Sequence, residues 1–202
     1  MDTIVISTHN KGKVKEMEGI AEKLGLDIVT RDEIGISKDF DIEEDGETLE
    51  ENSYKKAYEI MKLCGKPTLA DDSGLMVDYL NGAPGVYSSR YGGEDGNAEL
   101  NNAKLLSELE GVPFEKRTAH FETVITLVYP DGESIVCKGC CYGHITEEKR
   151  GDQGFGYDPV FMPDGYDKTF AQLGVDVKNK FSHRAIALAE LEKKLKEKHG
   201  TL

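Results

Sequence analysis

A change of hydrophobic period near the N-terminus constrains this chain more than any other feature. Residues 3–7 form a β-branched run, and Val14, Met17, Ile20, Ala21 and Leu24 then recur at helical spacing over 12–24, so a strand passes through a polar loop into a helix. The pattern repeats. Thr48, with Glu51 three residues later, caps a second helix whose Ala57, Ile60, Met61 and Cys64 share one face before Gly65 and Pro67 stop it, and residues 68–70 supply the next strand. Asn97 caps a helix carrying Leu105, Leu106 and Leu109 that stops at Gly111. Residues 118–129 and 134–142 are then extended on either side of a Pro130-Asp131-Gly132 turn, and Ser182 caps a last helix with Ala185, Leu188, Leu191 and Leu195 facing inward. Alternation followed by a hairpin predicts an α/β fold with a mixed sheet flanked by helices, not a purely parallel doubly wound one. No repeat or linker interrupts the 202 residues, which read as one domain over 1–202.

Hydrophobic residues make up 38% of the chain, enough to bury a core. Lys and Arg total 25 against 38 Asp and Glu, a net charge of −13, which argues against a general nucleic-acid or anionic-membrane surface. An anionic ligand therefore needs a local exception. The opening residues carry no basic region followed by an apolar stretch, and no apolar run of about 18 residues occurs, so a soluble cytoplasmic protein is expected. Cys64, Cys137, Cys140 and Cys141 are expected as free thiols. Residues 137–144 superficially resemble a zinc arrangement but lack two spaced ligand pairs and read as a strand.

Several segments carry chemistry. Ser7-Thr8-His9-Asn10-Lys11-Gly12-Lys13 lies where a strand hands over to a helix, so free backbone N–H groups, the helix dipole and two lysines can meet a phosphate; a solvated loop with a helix cap is the plainer alternative. Asp71-Asp72-Ser73-Gly74 sets two carboxylates at the end of an apolar run. Neighbouring side chains in a strand point to opposite faces, so one carboxylate can hold magnesium or orient water while the other braces the turn, and an ordinary turn also fits. The acidic stretch 39–47 is mostly a solvated helix entrance in which one or two members can be metal ligands.

Gly154-Phe155-Gly156-Tyr157-Asp158-Pro159 pairs glycines that allow close backbone approach with the rings of Phe155 and Tyr157, which offer faces to a base. Residues 178–184 concentrate positive charge at the entry of the last helix. There Lys178 is a point charge and Arg184 a bidentate donor for a base carbonyl or a phosphate, although a cap or a surface ion pair also accounts for His183 and Arg184.

Taken with Gly82-Ala83-Pro84-Gly85-Val86-Tyr87-Ser88-Ser89-Arg90-Tyr91, these ordered motifs resemble the inosine triphosphate pyrophosphatase family from the first strand to the last helix. The resemblance implies an elongated mixed sheet with helices in two lobes and a central substrate cleft, and a homodimer. It implies hydrolysis of non-standard purine triphosphates (ITP, dITP and XTP) to the monophosphate and pyrophosphate, with Mg2+ as cofactor. Residue by residue, Thr8, His9, Asn10, Lys11, Gly12 and Lys13 would bind the triphosphate, Glu43 or Glu44 and Asp72 would hold the metal, and Asp72 would accept a proton while Lys13 neutralises phosphate charge. Ser73 would touch substrate, and Phe155, Gly156, Tyr157, Asp158, Lys178, His183 and Arg184 would surround the base and sugar-phosphate, with Phe155 stacking and Arg184 reading the purine carbonyl. At position 9 the family more often has Gly where this chain has His9, and a left-handed turn suits Gly better.

Overall fold

The computed structural model describes residues 3–37 and 40–200. Its elements in chain order are β1 (Ile4–Ile6), α1 (Lys11–Leu24), β2 (Ile28–Thr30), α2 (Leu49–Cys64), β3 (Thr68–Val77), β4 (Pro84–Gly85), α3 (Ala98–Glu108), β5 (Thr118–Val128), β6 (Ser134–Ile145), β7 (Phe161–Pro163), α4 (Phe170–Leu173), α5 (Val175–Lys178) and α6 (His183–His199). The strands form a seven-stranded sheet of order β2-β1-β3-β5-β6-β7, with β4 beside β3. It is mixed, as expected: β1 runs parallel to β2 and β3, whereas β3 with β4 and β6 with β7 are antiparallel.

Local chemistry sets the helix ends. Asn10 accepts from the amides of Gly12 and Lys13 to start α1, Thr48 accepts from Glu51 to start α2, and Asn97 accepts from Leu100 to start α3. Gly25 and Gly65 end α1 and α2 at φ 68° and 63°, a left-handed conformation that glycine adopts without penalty. The β5–β6 hairpin closes where Tyr129 donates to Glu133 and Gly132 to Tyr129.

One expectation is corrected. Asp71-Asp72-Ser73-Gly74 does not end a strand or form a turn, because β3 continues through it to Val77. Pairing to β4, with Leu75 opposite Gly85, carries the extended backbone through a sequence of turn-like composition, and a Cβ on Gly74 would lie 2.5 Å from the Gly85 carbonyl oxygen.

The chain divides into two compact units. The first comprises the chain up to Asp72, Thr123–Gly139 and the chain from Arg184. Its core joins Ile4, Ile6, Met17, Ile20 and Leu69 to Ile125, Leu127, Leu188, Leu191 and Leu195. The second comprises Ser73–Glu122 and Cys140–His183, with a core of Leu75, Leu105, Leu109, Phe121, Val160, Phe161 and Phe170. No helix among the described residues is long and apolar enough to cross a membrane.

Candidate active site

In the first unit β1 delivers the loop of residues 7–13 to the start of α1. Thr8 Oγ1 accepts from the Asn10 amide at 3.1 Å, and the Asn10 carboxamide oxygen caps the helix, so both polar side chains shape the loop. His9 and Lys11 are exposed. They line a groove with Thr8, Val14, Lys15, Glu18, Thr30 and Asp32. His9 has no left-handed backbone: among the described non-glycine residues only Asn81 has positive φ. Position 9 therefore accepts a side chain without strain.

The two aspartates of β3 engage different partners. Asp71, 2% exposed, receives Arg184 Nη2 at 2.8 Å and lies 3.2 Å from Lys13 Nζ, while Arg184 also pairs with Glu16. Burial alone would raise the Asp71 carboxyl, but the charges of Lys13, Arg184 and Lys56 outweigh it and hold the group well below the usual carboxylate range. Asp72 Oδ1 lies 2.8 Å from Lys56 Nζ, and Glu44 Oε1 lies 3.3 Å from the same nitrogen. Burial first, and the neighbouring Asp72 charge, raise the Glu44 carboxyl against the pull of Lys56. The backbone of Asp72 is fixed through its carbonyl, which accepts from Thr123 Oγ1 at 3.1 Å.

The acidic stretch resolves into unequal members. Glu44 is half-buried beside Lys56, whereas Glu43 is exposed and feels the charge of Lys55. Asp39 lies outside the described residues. Lys56 and Glu16 are members of these clusters that the motifs do not contain. The signal for both was a charged residue on the apolar face of a helix: Lys56 stands four residues before Ile60, and Glu16 four before Ile20.

In the second unit, Asp158 organises the glycine-rich loop. Its Oδ2 accepts from the Phe155 amide at 3.0 Å, and both its oxygens receive Lys178 Nζ, at 2.9 and 2.8 Å. That ammonium lies 4.8 Å from the Phe155 ring centroid and 5.2 Å from that of Phe170. Asn102 donates to the Gly156 carbonyl at 2.9 Å. Tyr157 departs from expectation: it is 5% exposed, packs in the core and donates its hydroxyl to the Ser88 carbonyl, so its ring offers no face to a base. His183 stacks on Phe121 with centroids 4.8 Å apart, and Ser73 is half-buried on β3.

Two of the positive charges expected at residues 178–184 are neutralised within the fold, while Lys180 is exposed. Lys178 is matched by Asp158, and Arg184 by Asp71 and Glu16, because buried cations require paired anions.

Known proteins resemble this chain along nearly its whole length. A dITP/XTP pyrophosphatase of Clostridium perfringens is 50% identical, covering 97% of this chain and 98% of that protein. One of Bacillus subtilis is 48% identical over 96% of this chain and 98% of its own length. Among solved structures, the Ham1 protein of Staphylococcus aureus superposes with a TM-score of 0.83 at 41% identity, covering 97% of this chain and 99% of that one. A HAM1 protein from Coxiella burnetii gives 0.84 at 39% identity, covering 98% of this chain and 100% of its own. Residues 4–194 match the Ham1 family model, and the chain belongs to the Ham1 family.

Proposed function

We propose that this chain hydrolyses non-standard purine nucleoside triphosphates (ITP, dITP and XTP) to the nucleoside monophosphate and pyrophosphate, with residues 1–202 acting as one catalytic domain. The observation that carries the proposal is the gathering of Asp72 and Glu44 on one part-buried ammonium, Lys56, in a chain 48–50% identical to dITP/XTP pyrophosphatases.

The donor set fits magnesium. Among the described residues no three His, Cys, Asp or Glu side chains gather as a metal site. Magnesium, however, is usually bound through one or two carboxylates and takes its remaining oxygens from water and substrate phosphate. Asp72 and Glu44 supply those carboxylates; Glu43, exposed, is the lesser candidate. When bound, the ion would neutralise phosphate charge.

The protein's own groups do the rest. Thr8, His9, Asn10, Lys11, Gly12 and Lys13 bind the phosphates chiefly through the charge of the two lysines, because the amides of Asn10, Gly12 and Lys13 already donate to Thr8 and Asn10, while Lys56 adds charge from its place beside Asp72 and Glu44. Asp72 orients the water that attacks the α-phosphorus and accepts its proton while the bond from that phosphorus to the bridging oxygen breaks and pyrophosphate departs. In the second unit Phe155, held by the Asp158–Lys178 pair, stacks on the base, with Ser73 and Gly156 as further contacts and His183, buried against Phe121, as support behind them. Tyr157 and Arg184 act from behind, fixing Ser88 and Asp71 respectively. A 6-oxo purine presents an acceptor where adenine presents a donor, and a site that donates there rejects adenine strongly.

A panel of ITP, XTP, dITP, UTP, dTTP and ATP, assayed for pyrophosphate with magnesium and with chelator, tests the proposal. Magnesium-dependent pyrophosphate from the first three supports it. Orthophosphate as the first product, or preference for a pyrimidine, defeats it. Action on the nucleotide pool goes with a cytoplasmic location and, by family resemblance, a homodimer, which sedimentation equilibrium tests.

A further inference from the structure

Arg31, immediately after β2, is 2% exposed and belongs to none of the clusters above. Its guanidinium donates to three backbone carbonyls: Ser7 at 3.3 Å, Ser37 at 2.8 Å and Phe40 at 2.6 Å. Its own amide donates to the Ile6 carbonyl at 3.1 Å, and Asp32 and then Asp41 add attractive charge. Ser7 is the root of the phosphate loop, and Phe40 is the root of the acidic segment that carries Glu44. That segment has no regular secondary structure, and its far end is held by α2, where Asn52 Oδ1 accepts from the Gly46 amide at 2.8 Å and Glu51 from Glu47 at 2.7 Å. Glu44 therefore hangs between two clamps. The α2 clamp belongs to the helix that bears Lys56, and the other clamp is Arg31.

We propose that Arg31 is a positioning residue for the metal site: by joining the carbonyl at the root of the phosphate loop to the carbonyl at the root of the acidic segment, it sets Glu44 against Asp72. This rests on Glu44 and Asp72 as the metal carboxylates. A guanidinium suits the task because its donors diverge in a fixed plane and reach carbonyls from several segments at once, which an ammonium cannot do in one geometry. Groups that hold metal ligands in place typically affect metal affinity by about 10–100-fold.

The test compares the full chain with Arg31→Met, Arg31→Lys, Glu44→Gln and the core variant Leu195→Ala. Binding of Mn2+ alone is followed by electron paramagnetic resonance, together with the half-saturating Mg2+ for pyrophosphate release and the melting temperature. Arg31→Met is expected to weaken Mn2+ binding and raise half-saturating Mg2+ about tenfold, with kcat at saturating Mg2+ changed far less. Arg31→Lys should fall between it and the parent, and carries the test if Arg31→Met does not fold. Leu195→Ala should lower the melting temperature with Mn2+ affinity intact. Parental Mn2+ affinity in the folded Arg31 variants, or equal weakening in Leu195→Ala, overturns the proposal. Unchanged Mn2+ affinity in Glu44→Gln instead overturns the metal assignment beneath it, even where the Arg31 variants bind weakly.

Discussion

Arg184 Nη2 donates to Asp71 Oδ2 at 2.8 Å across 113 positions of sequence, with both side chains at most 1% exposed. The pair anchors the start of α6 to β3, and Glu16 and Lys13 complete an alternating set of charges inside the first unit. Such a set contributes little over a well-packed apolar core, yet breaking it strands a buried charge. Arg184→Met is therefore expected to lower stability by about 3–5 kcal/mol, read from urea unfolding. Asp71 also fixes the sign of the acid response. Its folded pKa is depressed, so its stabilisation is complete above the unfolded value of about 4 and is lost as pH falls below that toward the folded value. Between pH 4 and pH 2 the parent should lose stability more steeply than Asp71→Asn, which has no carboxylate there to protonate.

Asp72 calls for a different kind of variant. Asp72→Asn preserves shape and keeps an oxygen for Lys56 while removing the proton acceptor. Pyrophosphate release should fall by about 10²–10⁴-fold, with affinity for a non-hydrolysable ITP analogue changed much less. Near-parental turnover would remove Asp72 from its role.

The four thiols should separate by environment. Burial pushes Cys137 up to about 11 and Cys141 up to about 12, so at pH 8 almost no thiolate is present at either. Cys64 and Cys140 are only half-buried. Iodoacetamide at pH 8 followed by peptide mass spectrometry should find label at Cys64 and Cys140 well before Cys137 and Cys141. Equal labelling of all four would show that β6 opens readily.

What was legible in the sequence was what local chemistry decides. The caps at Thr48 and Asn97, the stop at Gly65 and the hairpin turn at residues 130–132 involve groups only a few residues apart. The continuation of β3 through Asp71 and Asp72 was not legible, because a distant strand supports it against local turn preference. Residue type pointed to the loop of residues 7–13 and the paired aspartates, but not to their partners. Which carboxylate Arg184 meets, and that Glu44 rather than Glu43 faces Lys56, are set by packing between segments far apart in sequence.

The glycine-rich loop offers the sharpest steric test. Gly154 has φ +80°, and a Cβ placed there would sit 2.1 Å from Asp158 Oδ2, the oxygen that receives both the Phe155 amide and Lys178. Gly154→Ala thus combines backbone strain with displacement of the carboxylate that holds Phe155. Asp158 cannot withdraw freely, since its other oxygen is also bound to Lys178 and the whole pair is buried. The loop must shift, and Phe155 with it. If Phe155 stacks on the base, the KM for ITP should rise by about tenfold or more, in line with the roughly 1–3 kcal/mol that stacking on an aromatic ring provides. Inorganic pyrophosphate carries no base, so its strength as a product inhibitor should change little. Equal loss of ITP and pyrophosphate binding would mean that the loop supports the phosphates instead, and Phe155 would then lose its assignment.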